Sequence, residues 1–170
     1  RPEFLAEVEG VDFSHPVSGD VLAAIVAAMD KYAVCVFRAT GLDGDSHIRF
    51  SRLLGALEHA PKALAGKIRR FQHPELFDAG NLDAHGNILV DERRRLYNKG
   101  NLLWHTDVSF DANRATYSLL AAHRVPPGGA PTEFADMRAA YDALPEETKR
   151  KIEPLMVEHS VWHSRALAGF

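Results

Sequence analysis

The sequence is poor in cysteine: Cys35 is the single thiol among 170 residues. One thiol cannot form an internal disulfide, which excludes the small secreted folds that disulfide frameworks stabilise. Cys35 lies in the apolar run AVCVF, and this setting favours a buried, inert thiol over a catalytic nucleophile. The cysteine content therefore favours a reducing compartment, and we expect the protein in the cytoplasm.

Long hydrophobic runs and a strong charge of either sign are also missing. No apolar stretch approaches the roughly 20 residues of a membrane-spanning helix, so we expect no membrane partner. The formal net charge of -3 and the pI of about 6.3 offer no basic surface to a polyanion, so we expect no nucleic acid partner. With 46% hydrophobic residues the chain is long enough for a core of its own, and we expect a single domain over residues 1–170.

Apolar residues at helical spacing predict two helices in the first third of the chain. Serine, aspartate and glycine residues at the flanks are typical of helix starts and ends. A run rich in β-branched and aromatic residues between the helices is typical of a buried strand. The predicted elements are a helix over roughly 20–32 capped by Ser18 or Asp20, a strand over 33–39, and a helix within 42–55 capped near Asp43 or Asp45 and ended by Gly55.

Prolines, glycines and polar residues interrupt the pattern over residues 56–100, which we interpret as a long loop or lid. Further along, Pro145 favours the start of a new helix. Strands with helices around them, not in strict alternation, favour an α+β or β-sandwich arrangement. The predicted elements of this part are short strands near 75–79 and 87–90, β-rich stretches at 101–110, 115–125 and 156–162, and a helical region over 136–153.

The stretch NLLWHTDVSF places a histidine and an aspartate two residues apart, at His105 and Asp107. Alternate residues of a strand point to the same face, so the two side chains would converge on one point. An imidazole and a carboxylate in this arrangement supply two of the three ligands of the facial triad that binds non-haem Fe(II). The alternative is a core histidine that is hydrogen-bonded to Asp107 or to the backbone.

Spacing alone does not separate these alternatives, because about one H-x-[D/E] pair is expected by chance in a chain of this size. Residues 73–75 form a second such pair, whose proline favours a turn or a sheet edge. The surroundings of His105 are more informative, since Trp104 and Phe110 supply apolar walls and Asn101 supplies a polar group. Such a combination is typical of a small-molecule pocket.

Three longer segments carry a resemblance to a known family: NLLWHTDVSF, ATYSLLAAHRVPPGGAPTEFADMRAAYDALPEE and VEHSVWHSRALAGF. Together they resemble the taurine dioxygenase and 2,4-dichlorophenoxyacetate dioxygenase family of Fe(II)- and 2-oxoglutarate-dependent enzymes, with the phenoxyacetate branch closer. The resemblance implies a mainly β, α+β fold: a double-stranded β-helix, or jelly roll, with flanking helices. The family's third iron ligand and its 2-oxoglutarate-binding arginine lie beyond the segment that matches Phe170. The resemblance therefore implies a partial domain, incomplete at its C-terminus.

By position, the resemblance implies roles for particular residues. His105 and Asp107 match the first two iron ligands. Thr132 matches the threonine that helps to hold the distal carboxylate of 2-oxoglutarate. The residues that match the substrate pocket are Asn101, His59, Lys62, His163 and Ser164.

Alternatives stay open at several of these positions. The family's GGDT segment is here GAPT, in which Pro131 fixes φ and removes an amide donor before Thr132. From the residues alone, Thr132 is also a candidate cap of the following helix, and Asn101 is a candidate turn residue. His159 and His163 are the candidates within this sequence for a substitute third ligand.

The cofactors that the resemblance implies are Fe(II) and 2-oxoglutarate, with O₂ as co-substrate. The implied reaction couples oxidative decarboxylation of 2-oxoglutarate, to succinate and CO₂, to hydroxylation of a small organic acid. An aryloxyacetate such as 2,4-dichlorophenoxyacetate would be hydroxylated next to its ether oxygen and would release a phenol and glyoxylate. Such a small anionic substrate requires a cationic or donor-rich anchor, and the family pattern leaves a homo-oligomer open. The alternatives are a jelly-roll hydrolase or isomerase that uses a metal without redox chemistry, and a non-catalytic binding domain.

Overall fold

The computed structural model of the chain describes residues 3–58, 71–83, 85–88, 90, 92, 96, 99–128, 131–167 and 169; of Asn101, Ser164 and Arg165 it describes the backbone. The chain divides into two compact units, which we describe separately. Unit 1 combines Arg1–Leu53 with Leu120–Met156, and unit 2 combines Leu54–Leu119 with Val157–Phe170. The single domain expected over 1–170 and the loop or lid expected over 56–100 stay predictions.

Short helices and strands separated by turns make up the regular structure of the described residues. None of the helices in these ranges is long and apolar enough to cross a membrane. The last two elements below belong to unit 2, and the others to unit 1 apart from Leu54. The elements of unit 1 are β1 (Ala6–Val8), α1 (Gly19–Tyr32), β2 (Cys35–Phe37), α2 (Gly44–Leu54), α3 (Met137–Asp142) and α4 (Glu146–Ile152); those of unit 2 are a 3₁₀ helix (Gly100–Leu102), which lies between α2 and α3 in the sequence, and α5 (Val161–Leu167).

A parallel strand pair joined by a helix opens unit 1. β1 and β2 are parallel, hydrogen-bonded neighbours. Parallel neighbours need a crossover of about a dozen or more residues, and α1 supplies it. α1 begins after Ser18, whose hydroxyl accepts a hydrogen bond from the Val21 amide at 3.3 Å. The helix predicted over 20–32, with Ser18 as its cap, and the strand predicted within 33–39 are confirmed.

α2 confirms the second predicted helix. The carboxylate of Asp43, just before the helix, accepts a hydrogen bond from the Ser46 amide at 2.8 Å. The hydroxyl of Ser46 donates to the same carboxylate at 2.6 Å, and these bonds lower the pKa of Asp43. Gly55 follows the helix with a φ of 153°, a conformation that favours glycine. The predicted start and end of this helix therefore have local causes.

The buried apolar side chains of unit 1 come from α1, α2 and the loop between β1 and α1. The most buried are Phe13 (5% exposed), Ile25 (4%), Ile48 (4%) and Phe50 (7%). The ring of Phe13 contacts two other rings, with centroids 4.4 Å from Phe50 and 5.4 Å from Phe37. Burial of side chains of this size stabilises a fold by about 1.5–3 kcal/mol each. Phe13 therefore joins α2 to β2 through its two ring contacts.

Asp136 begins α3, and its neighbour Arg138 links α3 to α1. The carboxylate of Asp136 accepts a hydrogen bond from the Arg138 amide at 3.0 Å. The guanidinium of Arg138 donates to the backbone carbonyls of Asp30 and Lys31, at 3.0 and 3.3 Å, near the C-terminal end of α1. A cation at this end of a helix is favourable, because the last carbonyls lack partners within the helix. The helical region predicted over 136–153, with its break at the proline, is confirmed by α3 and α4.

The later strands of the sequence-based prediction are not formed in the part of the chain that the structure describes. A β-rich composition gives a strand only where a neighbouring strand supplies hydrogen bonds, and no such neighbour lies beside these segments in the part of the chain that the structure describes. Near 87–90 the structure has an isolated antiparallel bridge between Leu82 and Ile88. The segments predicted as strands that are turns, extended backbone or helix instead are 75–79, 101–110, 115–125 and 156–162.

His47 on α2 is a buried histidine, with 8% of its surface exposed. Burial, and to a smaller extent the nearby charge of His123, lower the pKa of His47 below its ordinary value. As the pH falls, the unfolded chain therefore takes up this proton before the folded chain does. We expect the free energy of unfolding to decrease as the pH drops below about 6.5, with a slope from His47 of at most about 1.4 kcal/mol per pH unit.

Urea unfolding between about pH 8 and about pH 5 measures this dependence. The His47→Gln variant should lose its share of the decrease, because the glutamine does not titrate. The His85→Gln variant replaces an exposed histidine and should follow the wild-type curve. An equal decrease in wild type and His47→Gln would show that another group is responsible.

Candidate metal centre

His105 and Asp107 lie in unit 2, in the segment that follows the 3₁₀ helix. Nδ1 of His105 lies 2.6 Å from the carbonyl oxygen of Leu103. A carbonyl oxygen only accepts hydrogen bonds, so Nδ1 carries a proton and donates it. Nε2 of the same ring lies 3.2 Å from Oδ1 of Asp107. The structure therefore brings together the two side chains that the sequence singled out, and a backbone carbonyl orients the imidazole.

A turn produces this convergence, and not the alternation of a strand. The turn places Val108 at a φ of 53°, and it is closed by a hydrogen bond from the Asp111 amide to the Val108 carbonyl at 3.1 Å. A positive φ is rare for a β-branched residue, because Cβ crowds the backbone. The expectation that His105 and Asp107 face one point agrees with the structure, but the strand given as its cause does not.

The separation of the two side chains suits a proton or a metal ion between them. His105 and Asp107 are 48% and 55% exposed, so the alternative of a core histidine is wrong, although its hydrogen bond to the backbone is present. When the ring is neutral, Nε2 presents its lone pair to a carboxylate oxygen, and two such acceptors need a cation between them. Bonds of about 2.1 Å at right angles place two metal ligands about 3.0 Å apart, close to this geometry. The pair therefore fits a divalent metal such as Fe(II).

A third ligand is not found beside this pair. Within the ranges given above, no group of three or more His, Cys, Asp and Glu side chains is placed to hold a metal ion. His159 instead shares a hydrogen bond with Ser109, whose Oγ lies 2.9 Å from Nδ1 of the ring. His163 is exposed on α5, where its backbone amide donates to the hydroxyl of Ser160 at 3.3 Å. Neither histidine completes a triad with the pair in this structure.

The other predicted site residues are only partly described. Thr132 is exposed, in an extended segment before α3. Because Asp136 caps α3, the alternative in which Thr132 caps this helix is wrong. Asn101 lies within the 3₁₀ helix, in agreement with its alternative as a turn residue. The positions and side chains that lie outside the described residues are His59, Lys62 and the side chains of Asn101 and Ser164.

Exposed aromatic side chains occur beside the pair in the sequence and on α5, which also belongs to unit 2. Trp104 is 70% exposed, Phe110 is 49% exposed and Trp162 on α5 is 76% exposed. α5 packs against the 3₁₀ helix that precedes His105. Exposed apolar surface of this kind marks binding surfaces in many proteins. The residues expected to form apolar walls are thus accessible to a ligand.

One contact of the site was not predicted from the sequence, and another was anticipated without its acceptor. A hydrogen bond of His105 to the backbone was among the alternatives, but its acceptor, the carbonyl of Leu103, leaves no side-chain signature. The contact that was not predicted joins Ser109 to His159, which are 50 residues apart. The composition around Ser109 and His159 has no pattern that would pair these two residues.

The model of the family described as "Taurine catabolism dioxygenase TauD, TfdA family" matches residues 1–168. The chain belongs to this family, and the resemblance found in the sequence is confirmed. Two relatives share about two fifths of their residues with this chain over the matched region. The alpha-ketoglutarate-dependent 2,4-dichlorophenoxyacetate dioxygenase of Burkholderia sp. (strain RASC) is 39% identical over 170 residues, which cover 99% of this chain and 57% of the relative. The protein of the same name from Cupriavidus pinatubonensis is 40% identical, over 99% of this chain and 59% of the relative.

The fold of the chain is also similar to that of a solved structure. AAD-2, in a crystal structure with Mn(II) and N-oxalylglycine, matches 99% of this chain and 57% of its own with a TM-score of 0.87 and 42% sequence identity. The chain therefore has the fold of the matching part of AAD-2. It spans 57% to 59% of the length of the curated relatives described above.

Proposed function

We propose that the chain is the metal-binding part of an Fe(II)- and 2-oxoglutarate-dependent dioxygenase that hydroxylates a small organic acid. The observation that carries the proposal is the 3.2 Å approach of His105 Nε2 to Asp107 Oδ1, with Nδ1 occupied by the carbonyl of Leu103. Membership of the family and the names of the two relatives support it. Neither the family nor the names of these two relatives support a metal hydrolase or isomerase without redox chemistry.

In this proposal the residues of the chain bind and orient. The carbonyl of Leu103 keeps a proton on Nδ1 of His105, so that Nε2 is left as the metal-binding atom. Asp107 supplies the second ligand and a compensating negative charge. Thr132, by the family resemblance, donates its hydroxyl to the distal carboxylate of 2-oxoglutarate. When bound, iron with 2-oxoglutarate and O₂ would supply the oxidising power for hydroxylation of a C–H bond.

The proposed substrate is a small carboxylic acid with an aromatic group, such as an aryloxyacetate. Two relatives are named for 2,4-dichlorophenoxyacetate. An anion of this kind needs a cationic or donor-rich anchor, and an aromatic ring suits walls such as the exposed Trp104. The residues that we propose for contact with the substrate are Asn101, His59, Lys62, His163 and Ser164.

We propose a double-stranded β-helix for the complete protein as well. The relatives extend well beyond the portion that this chain matches. Strands need hydrogen-bonded neighbours, so we propose that 101–110 and 115–125 become strands of a double-stranded β-helix in the complete family fold. The third iron ligand and the arginine for 2-oxoglutarate would come from that further portion. We also place the complete enzyme in the cytoplasm, in keeping with the single cysteine among these 170 residues.

Mn(II) titration of the ¹⁵N-labelled chain, followed by NMR, tests the proposal without catalysis. Mn(II) broadens the signals of nearby amides, so residues 104–109 should lose intensity first, and added N-oxalylglycine should lower the concentration required. A chain with two of the family's ligands should bind weakly, and the location of the broadening is therefore the decisive readout. Broadening that starts elsewhere, or none up to millimolar Mn(II), would reject the proposed metal centre.

A further inference from the structure

We infer that the hydrogen bond between His159 and Ser109 positions the metal centre: it holds the turn that carries Asp107 so that the carboxylate faces His105. The inference rests on the proposed function. Ser109 follows Asp107 by two residues, and its Oγ lies 2.9 Å from Nδ1 of His159. His159 is thus proposed as a positioning residue that acts through Ser109, and not as a ligand of the metal.

The first support is the conformation of the turn. Val108, between Asp107 and Ser109, has a φ of 53°, which is unfavourable for a β-branched side chain. A strained backbone of this kind persists only where surrounding contacts hold it. The turn therefore needs contacts that offset the strain at Val108.

The second support is the range of the contacts around the turn. The Asp111 amide donates to the Val108 carbonyl at 3.1 Å, and the Asn113 amide donates to Oδ1 of Asp111 at 2.8 Å. Both bonds join residues two or three positions apart, so they shape the turn without tying it to other segments. The bond from His159 joins residues 50 positions apart. It ties the turn to the segment that leads into α5, and this fixes where the turn lies as well as its shape.

The third support is the exposure of the pair itself. His105 and Asp107 are 48% and 55% exposed, so neither side chain is fixed by burial. The Leu103 carbonyl orients the imidazole, whereas no comparable bond to the Asp107 carboxylate is described apart from its contact with His105. The orientation of this carboxylate therefore depends on its backbone. Outer contacts of this type change metal affinity by about 10- to 100-fold in other sites.

Mn(II) affinity of the full 170-residue chain, measured from the EPR signal of free Mn(II), tests the inference. Ser109→Ala and His159→Ala should each raise the Kd by about 10-fold. The double variant should be no weaker than either single variant, because both remove the same bond. His159→Asn places an amide where Nδ1 lies and should stay within about threefold of wild type, and Ser118→Ala, at an exposed serine of unit 2, should not change the Kd.

Amide hydrogen exchange without metal gives a second, independent readout. Loss of the His159 bond should speed exchange of the Asp111 amide about 10-fold in both alanine variants, with recovery in His159→Asn. Unchanged exchange and unchanged Kd in both alanine variants would overturn the inference. The inference would also be overturned if His159→Asn bound Mn(II) as weakly as His159→Ala while its Asp111 amide exchanged at the wild-type rate. That result would make His159 a ligand of the metal.

The two readouts also separate this inference from the proposed function. If wild type fails to bind Mn(II) near His105, the proposed metal centre is rejected. In that case the exchange of the Asp111 amide still decides whether His159 and Ser109 hold the turn. If wild type binds Mn(II) and the alanine variants bind equally well, the metal centre stands and the positioning role is rejected.

Discussion

Replacing Asp107 by asparagine is expected to weaken Mn(II) binding at the His105 pair by more than about 100-fold, since loss of an outer contact alone costs 10- to 100-fold in metal sites. Asparagine keeps the shape of the side chain but removes the negative charge that a divalent cation needs. The Nε2 atom of His105 would be left as the single protein ligand, 3.2 Å from a neutral amide oxygen or nitrogen in place of Oδ1. EPR of free Mn(II) measures the effect on the full chain.

Asp111→Asn is the matched control for this prediction. Asp111 lies on the same turn, and the asparagine removes the same charge four residues away. Its Oδ1 accepts a hydrogen bond from the Asn113 amide, which an asparagine oxygen can also accept. We expect a change of less than about threefold, from the altered field alone. Equal losses in Asp107→Asn and Asp111→Asn would mean that Mn(II) responds to general negative charge and not to a site.

Replacing Phe13 by alanine is expected to lower the free energy of unfolding by about 3–4 kcal/mol. Phe13 is 5% exposed and contacts the rings of Phe37 and Phe50. Alanine would remove both ring contacts and leave a cavity between β2 and α2. For a chain of this size the midpoint of thermal unfolding should fall by roughly 10 °C. Urea unfolding with an unchanged m value would show that the loss is one of stability.

Phe134→Ala provides the comparison for Phe13→Ala. Phe134 also belongs to unit 1 but is 49% exposed, and its removal should cost less than about 1 kcal/mol. Phe13→Leu should fall between the two, because leucine refills part of the space. A loss for Phe13→Ala no larger than that for Phe134→Ala would place the core of unit 1 elsewhere.

The helices were predictable because their causes are local. Ser18 begins α1 through a bond to an amide three residues along, and Gly55 ends α2 through its own backbone conformation. Such signals lie within a few residues of the element that they control. The strand within 33–39 was found for a different reason: its partner β1 lies within the same βαβ unit, so the pairing needs no distant segment.

The later strands were not predictable from composition. The stretches 101–110 and 115–125 have the side chains of strands, but a strand is completed by the hydrogen bonds of a neighbour. Those bonds are missing in the part of the chain that the structure describes. The local composition therefore shows that a segment can form a strand. Whether it does so depends on a neighbouring strand that supplies hydrogen bonds.

By itself the sequence determined the first helices, because they depend on residue types at short spacings, and it determined the family and the two candidate ligands through three separated segments that agree together. Only the tertiary structure decided how His105 and Asp107 meet. A turn with a strained Val108 brings them to 3.2 Å, a backbone carbonyl selects the nitrogen that faces the carboxylate, and a histidine 50 residues away contacts the turn. These features depend on backbone atoms and on contacts between distant segments, and neither is encoded in a short stretch of residues.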